Sequence, residues 1–149
     1  MKKLSSVFYM WIGLASGILA VFMMFVPFAN YDGGTIVAAR HLFWGMGQSG
    51  GAWLSFVGYM FILVGSIMMG VMALPVIQPS IKTEKIVLIS SGAIILVGAL
   101  LVGLTTVEYS ALGGTLYDHL EYFMPGFYLS LFFALVAAGM DVIALVLDW

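Results

Sequence analysis

The 149-residue chain has no cysteine, and only 8% of it is Asp, Glu, Lys or Arg. Without thiols there is no disulfide exchange, no thiolate nucleophile, no Cys-ligated zinc and no iron–sulfur centre. That also removes the disulfide-generating four-helix membrane oxidoreductases. Charge is scarce relative to need, since an average soluble domain carries about 25% charged residues to clothe its surface. The five basic and seven acidic residues give a net charge of −2 with no basic cluster, which leaves nothing to neutralise a phosphate backbone and excludes nucleic acid as a partner. The catalytic patterns His-Glu-x-x-His and Gly-x-x-x-x-Gly-Lys are missing as well, and neither an enzyme nor a cofactor is expected.

What is present is apolar: 63% of the residues, with uncharged stretches from Leu4 to Tyr31 and from Leu42 to Ile81. Such runs far exceed an ordinary core helix and define a polytopic membrane protein. Division at charges, prolines and Gly clusters gives four spans, about 7–28, 52–76, 86–107 and 125–147, each near the ~20 residues needed to cross hydrocarbon. All four are expected to be helices, because unpaired backbone is intolerable in lipid and no alternating barrel pattern occurs. The expected fold is therefore an all-α integral membrane protein, a four-transmembrane-helix bundle forming one domain over residues 1–149. Pro27-Phe28-Ala29 is a poor small-x-small cleavage site, so the first span reads as uncleaved.

Lys2 and Lys3 precede span one, and Lys82 and Lys85 fall between spans two and three. Basic residues favour the cytoplasmic side, which predicts both termini inside and two longer loops, about 29–51 and 108–124, outside. Short loops and minimal tails suit a bacterial cytoplasmic membrane. The outer loops share a pattern: Tyr31, Gly33-Gly34-Thr35 and His41-Leu42-Phe43 in the first, Tyr109, Gly113-Gly114-Thr115, His119-Leu120 and Phe123 in the second. The Gly-Gly-Thr triplets stand 80 positions apart (113 − 33 = 80), which predicts two tandem helical hairpins, residues 1–80 and 81–149, sharing one topology. After each Thr the apolar residues, Ile36, Ala39 and Phe43 or Leu116, Leu120 and Phe123, fall at helical spacing. Short amphipathic helices at the outer interface are expected there.

Among ionisable residues only Asp141 interrupts an expected span, and spans one to three contain none. The steps Ser130, Ala134, Ala137, Asp141 put it on a small-residue face turned toward neighbouring helices. Lying six residues before Leu147 (147 − 141 = 6), about 9 Å along the helix, it is expected to reach cytoplasmic water or to pair with Lys85. A proton- or cation-coupling carboxylate is the sharper alternative. The outer loops contribute Arg40, His41, Asp118, His119 and Glu121 as further candidates. His41 and His119 lie outside the spans, which disfavours a transmembrane haem, and no His-x-x-x-His pair marks a metal site. Gly13 and Gly17, Ser66 and Gly70, and Ala99 and Gly103 form small-xxx-small faces that permit close helix approach.

Four spans with a larger first outer loop resemble the general plan of tetraspan proteins such as claudins. Their Gly-Leu-Trp and paired Cys are absent, and Phe43-Trp44-Gly45 does not replace them. The expectation is a small non-catalytic accessory or structural subunit of a larger membrane complex. It would contact lipids and other membrane subunits or copies of itself. The alternatives are an oligomeric small transporter or channel using Asp141, and a lipid- or small-ligand-binding sensor in which Arg40 and His41 meet an anionic head group. An absence of buried polar groups is the expectation that favours the first.

Overall fold

The computed structural model describes residues 4–31, 34–37, 52–77, 79–104 and 125–147. Four long helices dominate: α1 (Leu4–Phe22), α2 (Ala52–Ala73), α3 (Ile81–Gly103) and α4 (Pro125–Leu147). Each contains a stretch long and apolar enough to cross a membrane, which marks a multi-pass membrane protein. A 23-residue helix such as α4 is about 34 Å long, against about 30 Å of hydrocarbon. The helices form a ring in which α1 and α3 each pack on α2 and α4, while the α2 and α4 diagonal meets at few points.

Local chemistry sets the helix ends. Span one was expected to run to residue 28, but α1 gives way to a 3₁₀ turn at Met23–Phe25, and Val26 is extended at φ −84°, ψ 149°. The cause is Pro27, which lacks an N–H and pushes the residue before it out of the α region. Span two stops at Ala73, ahead of Pro75, for the same reason. Span three was expected to begin beyond Lys85; α3 instead starts at Ile81. Ser80 is its cap, accepting from the Thr83 N–H at 3.2 Å, with its hydroxyl 2.8 Å from Thr83 Oγ1. A cap offsets the unsatisfied first-turn donors, and Glu84 in that turn complements the helix dipole. Ser80→Ala should therefore lower stability by about 1 kcal/mol, read as an earlier midpoint in detergent-induced unfolding, while Ser80→Asp should leave it near wild type.

The short helix expected after Thr35 needs correction. β1 (Pro27–Tyr31) and β2 (Gly34–Val37) form an antiparallel pair with Ala29 opposite Ile36, Asn30 opposite Thr35 and Tyr31 opposite Gly34. Ile36 thus lies in a strand, not in an amphipathic helix. The β-branched run Thr35-Ile36-Val37 favours extended backbone. Ala39, Phe43 and the second amphipathic segment at Leu116, Leu120 and Phe123 lie outside the described residues. The hairpin rests on the start of α4. A Cβ at Gly126 would stand 2.7 Å from the carbonyl oxygens of both Val26 and Pro27, so only glycine admits this approach.

Side-chain placement differs from that of a water-soluble bundle in what it exposes and in the serines it buries. Phe8, Phe61, Leu100, Phe132 and Val146 point outward, while Ser16, Ser66, Ser91 and Ser130 are buried. Large apolar groups face the hydrocarbon and small groups line the helix contacts, as lipid-embedded packing requires. The closest approach is between α2 and α3. A Cβ at Gly58 would lie 2.7 Å from the Gly98 carbonyl oxygen, and one at Gly98 would lie 2.6 Å from that of Gly58.

Candidate functional site

The α4 face expected from the 4, 3, 4 spacing is present: Ser130, Ala134, Ala137 and Asp141 are all buried. Asp141 is 2% exposed. Its neighbour Met140 packs against the position a Gly13 side chain would take, halfway along α1, so the carboxylate sits at mid-bundle depth. Neither reach to water nor pairing with Lys85 describes it. Its partner is Ser91 on α3, whose Oγ donates to Asp141 Oδ2 at 2.8 Å. Ser91 Oγ also lies 3.1 Å from the Leu88 carbonyl oxygen, its second acceptor. Asp141 Oδ1 is buried without a hydrogen-bond partner among the described residues. Gly92 lies beside the carboxylate: a Cβ there would stand at ordinary contact distance, 3.4 Å from Asp141 Cβ and 3.5 Å from Oδ2.

Two further polar contacts occupy the interior. The Tyr59 hydroxyl lies 2.8 Å from Ser130 Oγ, and Ser130 Oγ donates to the Gly126 carbonyl at 2.8 Å. This bridge spans the α2 and α4 diagonal near the hairpin end, and Tyr59 is completely buried. Tyr59→Phe leaves Ser130 bonded to Gly126 and removes only the crosspiece. A loss of about 1 kcal/mol is expected in an unfolding titration, and a variant as stable as wild type would deny the bridge any net contribution. Ser66 Oγ donates to the Ile62 carbonyl at 2.6 Å and abuts Gly17, where any Cβ would collide with the hydroxyl.

The expectation of an interior without polar groups is thus overturned. Glu84 adds a second correction: expected in a connection, it belongs to α3 and is 7% exposed. The signal was legible, since Glu84, Leu88, Ser91 and Ile95 repeat at helical spacing. It was obscured because Lys82 and Lys85 marked the segment as loop.

The small residues divide. Gly13 meets Met69 and Met140, Gly17 meets Ser66, and Gly70 meets Leu14. Ala99 is buried, but nothing lies within 4 Å of a Cβ at Gly103. Gly58, Gly65 and Gly98 make close contacts that the small-xxx-small pattern did not single out, because they are spaced by seven on α2 and paired across helices (65 − 58 = 7). Arg40, His41, Asp118, His119 and Glu121 lie outside the described residues. Among the described residues no group of three or more His, Cys, Asp or Glu is placed to hold a metal ion. Compared with protein-family models, curated proteins and solved structures, the chain matches none.

Proposed function

We propose that this chain is a small transporter or channel subunit in which Asp141 is the coupling carboxylate. One observation carries the reading: a carboxylate buried at mid-bundle, held by a single serine, with its other oxygen unpartnered. An ionisable group inside a membrane bundle is costly and is characteristically retained for ion or proton movement. Purified protein in liposomes, with a pH-sensitive dye inside and an imposed pH gradient, is the test. Dissipation faster than in empty vesicles is expected; equal rates would remove the reading.

An accessory subunit acting through its helix faces and outer loops is the second reading. What favours it is that, among the described residues, no atom lies within 4 Å of a would-be Cβ at Gly139, which leaves that small residue of α4 open to an outside helix. A stoichiometric membrane partner after mild extraction, with no flux from the chain alone, would select it.

We also infer that the chain is a tandem pair of hairpins with both termini cytoplasmic. Supporting this, the buried positions of α4 recur 75 residues earlier in α2, pairing Ser55 with Ser130 and Ser66 with Asp141 (130 − 55 = 75; 141 − 66 = 75). Ser6 and Glu84, Met10 and Leu88, and Gly13 and Ser91 pair likewise between α1 and α3 at 78 (84 − 6 = 78). On this reading Ser66 is the counterpart of Asp141, and only one half of the bundle carries a carboxylate.

A further inference from the structure

We propose that the ligand of Asp141 is a proton, exchanged in place with the help of Ser91, and not an alkali cation; this rests on the coupling role given to Asp141 above. The geometry of Ser91 carries the proposal. Its hydroxyl has one proton and two acceptors in reach, Asp141 Oδ2 at 2.8 Å and the Leu88 carbonyl oxygen at 3.1 Å. When Asp141 is ionised, Ser91 donates to Oδ2. When Oδ2 carries a proton, that O–H donates to Ser91 Oγ, and the serine proton turns to Leu88. Both charge states therefore keep every hydroxyl donor bonded, at the cost of one torsion about the serine side chain.

A cation would need more. Hard metal cations gather about six oxygen ligands, whereas the hydrogen-bonded cluster here brings together the two oxygens of Asp141, Ser91 Oγ and the Leu88 carbonyl. No fixed positive charge comes from α1 or α2, whose sequences contain no Asp, Glu, Lys, Arg or His; their titratable groups are Tyr9 and Tyr59. On α3 the charged groups are Lys82, Glu84 and Lys85, all in its first turns. Glu84 is on the face shared by Leu88 and Ser91, seven residues away (91 − 84 = 7), about 10 Å along the helix. The other titratable group of α4 is Tyr128, toward its opposite end.

Infrared difference spectra of the full chain in liposomes, acid minus alkaline, test this directly. A carboxylic acid C=O band is expected to rise reversibly in acid, to be lost in Asp141→Asn, and to persist at a shifted frequency in Ser91→Ala. Replacing choline by sodium at constant ionic strength should leave it unchanged. A band that sodium suppresses overturns the proton assignment while keeping Asp141 as a coupling group. A band that neither pH nor sodium alters in the wild type, or one intact in Asp141→Asn, overturns the proton assignment together with the coupling role. Circular dichroism on each variant establishes that the helices remain.

Discussion

Gly98→Ala is expected to destabilise the bundle by about 3 kcal/mol or more, the upper range for overpacking. The added Cβ would stand 2.6 Å from the Gly58 carbonyl oxygen and 2.9 Å from the Ile62 backbone nitrogen. These are backbone atoms, and no rotamer change relieves the overlap. The helices must separate, and separation costs dispersion contacts along the whole α2 and α3 interface. In lipid those contacts are the principal source of helix association, since burial from water contributes little there. Gly139→Ala is the matched control: it places the same methyl on α4 where no atom lies within 4 Å. That variant should be neutral, or stabilised by up to about 1 kcal/mol through helix propensity. Unfolding titrations of the two variants in mixed micelles decide the matter, and indistinguishable midpoints would refute the α2 and α3 contact.

Asp141→Asn should reduce proton flux through liposomes by about tenfold or more, because an amide cannot bind and release the proton. Its fold should survive. The amide oxygen can still accept from Ser91, as Oδ2 does at 2.8 Å, and the new NH₂ then occupies the place of the unpartnered Oδ1. A buried donor without an acceptor costs about 1 to 2 kcal/mol, a loss the bundle contacts can absorb. Asp141→Glu retains the titrating group on a longer arm and should recover part of the flux. Wild-type flux in Asp141→Asn would show that the carboxylate only ties α3 to α4.

The fourth span was legible to the residue, 125–147 in both sequence and structure, because Pro125 suits a helix start and no charge blurs its edges. The third was not. Lys82, Glu84 and Lys85 mark the Ser80 region as loop by composition, yet a serine cap and a buried acid place it inside α3. The β-hairpin was misread for a related reason: Ile36 fits a helical and a strand period equally over so short a run. For Asp141, the sequence set the face and the structure supplied the partner.

Composition and run length alone determined that this protein crosses a membrane and does so with four helices, because the cost of lipid-exposed charge and backbone depends on chain chemistry and not on arrangement. Only the tertiary structure decided what the small and polar residues are for. Gly58 and Gly98 are unremarkable in the sequence, and Ser91 and Asp141 stand 50 positions apart. Whether a glycine is a contact or an open surface, and whether a buried carboxylate meets water, lysine or one serine, depends on which helices become neighbours. That choice is made by short-range packing between distant segments, to which no local pattern is sensitive.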